Sequence, residues 1–210
     1  MFELKNVQFK NILNIDNLII DDSGLTMIIG PSGSGKSTLL KMLDDIISPD
    51  NGEILYKGDN ISSYKAHELR RKIIMQSQFP AIFEGNVRDN LNIARKFSGL
   101  APLDDANLKE LLNIVLLDKK LDDDPKYFSG GEKTRLSIAR VLAMDAEVYL
   151  FDEPTSSLDD ETEFNLINKV IQYLKEKNKK IVMVSHSEKL FSLAEQVIEI
   201  NNNTASIKEA

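Results

Sequence analysis

The chain has 210 residues, enough for one large domain or a core with an inserted subdomain, and it can bury a sizeable core unaided. A net charge of −7 argues against nucleic acid as the main partner, because phosphate backbones call for clustered Lys and Arg. With no cysteine there is no disulfide framework or thiolate metal site, which fits the cytosol.

Met1-Phe2-Glu3 has neither the basic nor the apolar region of a signal peptide. No apolar run approaches the ~20 residues of a membrane span. A soluble protein is expected, or one held at a membrane only through a partner. Residues 2–9, 12–20 and 25–29 read as strands, broken at Lys10-Asn11 and at 21–24. Behind them Leu39, Leu40 and Leu43 repeat at helical spacing. Ser48-Pro49-Asp50-Asn51-Gly52 is a dense turn cluster, followed by a short strand over 53–56. A helix near 66–71 leads into a strand at 73–75. Leu108, Leu111, Leu112, Val115 and Leu116 follow helical periodicity, 121–126 reads as a loop, and a helix runs from Ser129 to about Ala143. A buried strand at 148–151 comes next, and Phe164, Ile167, Ile171 and Leu174 mark an amphipathic helix. A strand at 181–184, a short helix and a closing strand at 197–200 complete the series, with Asn201-Asn202-Asn203 read as a frayed end. Strands alternating with helices in the second half imply a parallel sheet.

Gly30-Pro31-Ser32-Gly33-Ser34-Gly35-Lys36-Ser37-Thr38 fits G-x-x-x-x-G-K-[ST], and it lies between a strand and a helix as that motif requires. Glycines let the backbone take positive φ and close around an anion without Cβ clashes. The freed N–H groups and the helix start then aim positive charge at phosphate. Lys36 would reach the β/γ-phosphates of a nucleotide, and the Ser37 hydroxyl would hold Mg²⁺. Alone, this loop leaves kinases, GTPases, motors and transporter ATPases open. Val148-Tyr149-Leu150-Phe151-Asp152-Glu153 adds two carboxylates at the C-terminal end of a buried strand, where ligands bind in open α/β sheets. Asp152 suits the Mg²⁺ shell, through its waters. Glu153 is placed to orient and deprotonate an attacking water.

The stretch Phe128-Ser129-Gly130-Gly131-Glu132 decides among the candidates, because it resembles the LSGGQ signature of ATP-binding-cassette (ABC) ATPases. The likeness continues through Lys133-Thr134-Arg135-Leu136-Ser137-Ile138-Ala139-Arg140. Ser129 caps a helix whose first-turn N–H groups are otherwise unpaired, giving a second anion site. Pro154-Thr155-Ser156-Ser157-Leu158-Asp159 resembles the family's D-loop, which implies Asp159 near a dimer interface. Gln78-Phe79-Pro80-Ala81-Ile82-Phe83, with Asn86 to Leu91, is similar to the Q-loop segment; Gln76 lacks that downstream spacing. The resemblance makes Gln78 a Mg²⁺ ligand and sensor, and His186, in Ser185-His186-Ser187, the switch histidine at the γ-phosphate. The likenesses span nearly the whole chain in family order, and the chain is identified as a member of the ABC ATPases.

That resemblance implies an α/β fold: a P-loop NTPase core with a parallel sheet, an N-terminal antiparallel β portion and an inserted helical subdomain. It implies one ABC ATPase domain over 1–210, with the core at 1–78 and 136–210 and the helical subdomain, carrying the signature, at 79–135. The implied activity is ATP hydrolysis, with Glu153, His186, Lys36 and Gln78 as catalytic groups and ATP and Mg²⁺ as ligands. Residues 30–38 together with Ser129, Gly130 and Gly131 would bind the nucleotide, and Ser37, Gln78 and Asp152 the metal. Partners would be a second copy or a paralogous ATPase subunit, paired head to tail, and separate transmembrane permease subunits on whose cytoplasmic face the protein lies. The compact length and the segment 79–91 are most similar to ATP-binding subunits of bacterial iron exporters. The short stretch after the last strand leads to the expectation that the C-terminal regulatory domain of some importers is absent. A soluble ABC ATPase of translation or DNA repair is the alternative, but it usually carries paired cassettes or basic surfaces. A small-molecule kinase would leave Ser129–Glu132 and Glu153 without purpose. Three positions depart from the family pattern. Asn11 stands where most relatives carry an adenine-stacking aromatic, Phe128 replaces Leu, and Glu132 replaces Gln with its charge expected to face away from phosphate.

Overall fold

The computed structural model describes residues 1–22, 24–79, 81–155 and 158–208. Strands β1 (Phe2–Phe9), β2 (Leu13–Ile20) and β3 (Leu25–Ile29) precede helix α1 (Lys36–Leu43). Then come β4 (Asn51–Tyr56), β5 (Asp59–Asn60), α2 (Ala66–Lys72) and β6 (Ile73–Gln76), followed by the helices α3 (Val87–Phe97), α4 (Asp105–Ile114) and α5 (Gly130–Leu142). After them lie β7 (Val148–Asp152), α6 (Asp160–Glu176), β8 (Lys180–Val184), α7 (Glu188–Phe191), β9 (Gln196–Asn201) and β10 (Thr204–Ile207). An antiparallel sheet runs in the order β2-β1-β4-β5. A second sheet runs β10-β9-β3-β8-β7-β6, parallel except for β10. The expected α/β architecture with an antiparallel N-terminal portion is what forms.

The short helix α1 is wedged between the sheets. Its Leu39, Leu40, Met42 and Leu43 share a core with Leu4, Leu13 and Ile15 on one side and with Ile28, Leu150 and Val182 on the other. A helix buried on several sides cannot roll, so the loop that opens it is held by both sheets. On the far face of the parallel sheet, α3, α4, α5 and α6 bury Leu91, Leu112, Leu136 and Ile167 against Tyr149, Phe151 and Met183. Strand alternation sorts β7: Val148 and Leu150 face α1, Tyr149 and Phe151 face the helices. Asp152, next in that alternation, therefore falls on the α1 side.

Several local expectations change. Asn51 and Gly52 belong to β4 rather than to the turn before it. Gly52 has φ +83, and a Cβ there would lie 2.2 Å from the Asn6 carbonyl oxygen. It accommodates the bulge where the β1–β4 register shifts between Lys5 and Gln8. Asn202 (φ +47) and Asn203 (φ +67) do not fray; they turn the chain into β10, which pairs with β9. Asparagine tolerates the left-handed backbone that such a hairpin turn demands, so turn chemistry explains the run. The 197–200 strand is thus not the last one. Leu116 (φ +54) lies beyond the end of α4, outside its apolar stripe. Helix α5 runs unbroken across position 135, joining the helical piece to the sheet. Pro80 of the Gln78 segment, and Ser156 and Ser157 of the Pro154-to-Asp159 segment, lie outside the described residues.

Candidate active site

After β3 the backbone turns at Gly30 (φ +145), where a Cβ would lie 2.2 Å from the Ile200 carbonyl oxygen of β9. No other residue fits there. Gly33 (φ +77) and Gly35 (φ +104) curl the loop, and Gly35 caps α1 while lying against Ile12 and Leu13. Pro31 and Ser32 form the exposed rim, and Thr38 is half-buried in the first turn of α1. Lys36, only 5% exposed, folds into the loop and donates from Nζ to the carbonyls of Gly30 (2.8 Å) and Pro31 (2.9 Å). Burial pulls the Lys36 pKa down, and the nearby charges of Glu153 and Asp152 pull it back up. The Ser34 hydroxyl is buried with no partner among the described residues. An orphaned hydroxyl inside a glycine cradle fits a loop that a phosphate oxygen would complete.

Across the sheet, β7 delivers Asp152, whose Oδ1 accepts the Ser37 hydroxyl at 2.8 Å. Burial raises the Asp152 pKa; the Ser37 bond opposes the rise and the Glu153 charge adds to it. Glu153 follows in a left-handed conformation (φ +46), unusual for a residue with a side chain. Its N–H is anchored to the Val184 carbonyl of β8 at 3.1 Å, which holds the strained turn. The Glu153 carboxylate lies between two partners, with Gln78 Nε2 2.9 Å from Oε2 and His186 Nε2 3.1 Å from Oε1. Adjacent strands β3, β8, β7 and β6 all end at this edge, bringing Lys36, Ser37, His186, Asp152, Glu153 and Gln78 together. A cleft of about 620 Å³ opens beside Glu153 and His186, lined also by Leu158 and Ser185.

Ser129, Gly130 and Gly131 belong to a different place. Ser129 caps α5 through a reciprocal box: its Oγ accepts the Glu132 N–H (3.3 Å), and Glu132 Oε2 accepts the Ser129 N–H (2.8 Å). Capping geometry folds the Glu132 carboxylate back onto the helix start. A Cβ on Gly131 would come 2.8 Å from Leu158 Cδ2, whereas one on Gly130 meets nothing within 4 Å among the described residues. Asp159 caps α6, its Oδ1 accepting the Thr162 N–H at 3.0 Å. Two helix starts of different build thus coexist in one chain, a glycine loop at α1 and a capping box at α5.

A family model described as ABC transporter matches residues 13–156. The chain belongs to the ABC transporter ATPase family. This ABC ATPase is 32% identical over 214 residues to the Probable iron export ATP-binding protein FetA of Escherichia coli, covering 100% of the chain and 95% of that protein. It is 35% identical over 185 residues to the Methionine import ATP-binding protein MetN 1 of Staphylococcus epidermidis, covering 84% of the chain and 54% of that protein. Its fold matches the ATP-binding cassette MJ0796, solved as a dimer in a post-hydrolysis state with ADP and Pi, at a TM-score of 0.86 and 25% identity over 100% of both chains. The ABC ATPase hydrolyses ATP as a subunit of an ATP-driven transporter. No helix among the described residues is long and apolar enough to cross a membrane.

The structure of this ABC ATPase adds contacts that no local pattern in the sequence states. Leu158 packs where Gly131 leaves room. Lys119, in the loop after α4, bonds Glu132 Oε1 at 2.7 Å. No local pattern could have found Lys119, since twelve residues, a 3-10 turn among them, separate the partners. Gln76 is buried, with both amide atoms unpaired among the described residues, and it is Gln78 that reaches Glu153. Ser37, Asp152 and Gln78 supply hydroxyl, carboxylate and amide oxygens, a hard donor set that fits Mg²⁺.

Proposed function

We propose that two such cassettes, two copies or one copy and a paralogue, close head to tail on two Mg-ATP and so drive separate transmembrane permease subunits from their cytoplasmic face. One observation carries this reading: Glu153 lies between Gln78 and His186, one residue beyond the Asp152 that holds Ser37. When bound, Mg²⁺ would neutralise charge on the phosphates, held by Ser37 and Gln78 and, through water, by Asp152. Lys36 exchanges its loop carbonyls for the β/γ-phosphates. Each Glu153 oxygen has one partner and keeps a further lone pair, so the carboxylate can accept a proton from the attacking water. His186 steadies the γ-phosphate from the opposite oxygen of the same carboxylate. The capping box takes the N–H groups of Ser129 and Glu132 and leaves those of Gly130 and Gly131 for the γ-phosphate held by the facing subunit. Asp159 lies at the joint between the two. Residues 79–135 act as a helical subdomain whose root, Gln78, reports on the nucleotide. Whole-length likeness to the iron export protein supports iron export as the transport task.

Glu153→Gln tests the mechanism. The amide keeps the size of the carboxylate but cannot take the proton, so hydrolysis should fall roughly 10²–10⁴-fold. ATP binding should survive, and light scattering should show a monomer without nucleotide and a dimer with Mg-ATP. Adding Ser129→Arg should restore the monomer by filling the second phosphate site. Wild-type turnover in Glu153→Gln would remove Glu153 as base. Absence of ATP-driven dimers, even beside the permease, would remove the head-to-tail reading.

A further inference from the structure

A carboxylate at the α5 start is a problem for the head-to-tail reading. The N-terminal end of a helix carries roughly half a positive charge, which is what an incoming phosphate would use. Glu132, three residues after the Ser129 cap, places a full negative charge on that same turn, with one oxygen on the Ser129 N–H. Left alone, it would outweigh the helix end and repel phosphate. The other carboxylate oxygen does not face solvent alone: Lys119 Nζ is 2.7 Å away. The Lys119 ammonium is itself held over the buried Phe128 ring, 4.9 Å from its centroid, and the Lys119 and Glu132 side chains are each little more than a quarter exposed. The carboxylate is thus held at both oxygens, by Lys119 on one side and the helix backbone on the other.

We infer that Lys119 is a positioning residue that neutralises Glu132 and so keeps the α5 start attractive to the phosphate of a facing subunit. This inference rests on the head-to-tail reading. The Lys119 bond, then the Ser129 N–H, holds the Glu132 carboxyl down at about 2, so the pair stays ionised across the physiological range. The charges of Asp123 and Asp118 also act on Lys119, so its loss would remove a cation that these acids share with Glu132. An ordinary structural ion pair would be indifferent to the partner's charge in its effect on nucleotide. A compensating pair predicts coupling: removing Lys119 harms only while Glu132 is charged.

The test is a double-mutant cycle in the full chain, built on Glu153→Gln so that the ATP concentration giving half-maximal dimer can be read by light scattering. Lys119→Met should raise that concentration roughly tenfold when Glu132 is present, the size expected of one unneutralised charge near the phosphate. In the Glu132→Gln background the same substitution should change it less than about twofold. In chains that retain Glu153, the apparent KM for ATP should move in the same pattern with kcat little changed. Equal losses in both backgrounds, or a fall in melting temperature with no change in ATP dependence, would overturn the inference and leave the dimer reading intact. A parent Glu153→Gln that never dimerises with ATP overturns the dimer reading itself, and the compensation with it.

Discussion

On the head-to-tail reading the starts of α1 and α5 both serve phosphate, and they are built in opposite ways. At α1, glycines in left-handed conformations bend the loop, and a buried lysine fills it by bonding its own carbonyls. At α5 the backbone is unstrained, and Ser129 and Glu132 satisfy each other in an open capping box. The first arrangement is costly alone and has an internal placeholder, Lys36, ready to be exchanged for ligand. The second is already content and presents only the two N–H groups of Gly130 and Gly131. On that reading the α1 loop binds nucleotide within one chain, whereas the α5 start gains a ligand only when another surface brings one.

The largest expected effect would break that comparison outright. Lys36→Ala removes the ammonium that lies inside the loop and leaves the Gly30 and Pro31 carbonyls without their donor. Nucleotide binding should be lost to below detection by equilibrium dialysis, and turnover with it. Ser129→Ala should instead cost about 1 kcal/mol of stability through the lost cap while single-chain binding of Mg-ATP stays within about threefold. If Ser129→Ala weakened single-chain binding as much as Lys36→Ala, the two helix starts would be one site.

A smaller effect sharpens the comparison at the other ends of the helices. Helix α5 carries Arg140 in its last turn, buried and bonded to Asn90, which suits a helix C-terminus. Helix α1 ends on Asp44, an acid where a base is favoured, 5% exposed and with Oδ1 unpaired among the described residues. Burial pushes Asp44 up to about 7, with Arg70 pulling it down and Asp45 adding to the rise. Its carboxyl holds a proton more tightly folded than unfolded, so its stabilising contribution is full below about pH 4 and is lost as pH rises toward 7. Asp44→Asn should therefore stabilise the protein at pH 8 by roughly 2–4 kcal/mol and change little at pH 4. Urea unfolding at the two pH values checks this. Equal effects at both would show that Asp44 is not charged against its will.

Much of the fold and of the α1 site is legible in the sequence because both depend on short local patterns. The glycine spacing from 30 to 35 states a backbone conformation, and Asp152-Glu153 after four apolar residues states a strand end. Gln78 and His186 needed resemblance, since an isolated Gln or His carries no local constraint, yet the sheet order brings both to Glu153. What stayed hidden depends on chain geometry. Gly52 is read as turn composition because its real neighbour, Asn6, is forty-six residues away. Asn202 and Asn203 look like disorder because a hairpin turn and a frayed end use the same residues. Lys119 was invisible for the same reason as Gly52: its meaning lies in one contact across a loop.

The smallest effect concerns the edge of the α1 loop, where the base of the nucleotide would lie. Ile12 and Leu13 lie against Gly35, so the turn between β1 and β2 borders the cradle. Asn11 in that turn is exposed and offers an amide rather than an aromatic ring. The Phe9 ring is partly buried against the core, with Lys10 Nζ 5.0 Å from its centroid. Aromatic stacking contributes ~1–3 kcal/mol per base. Without it, affinity rests on the triphosphate contacts, which ATP and GTP share. Mg-GTP should therefore compete with Mg-ATP within roughly tenfold, the ratio that ~1.4 kcal/mol represents. Asn11→Tyr should tighten ATP by about the same factor, measured by displacement of a fluorescent nucleotide, and should leave the Lys36→Ala defect unrepaired. Such a result would place base affinity at the turn and phosphate affinity at the loop, as separable contributions of one helix start. A thousandfold preference of the unmodified chain for ATP would show instead that a group already present, Phe9 being nearest in sequence, reads the base.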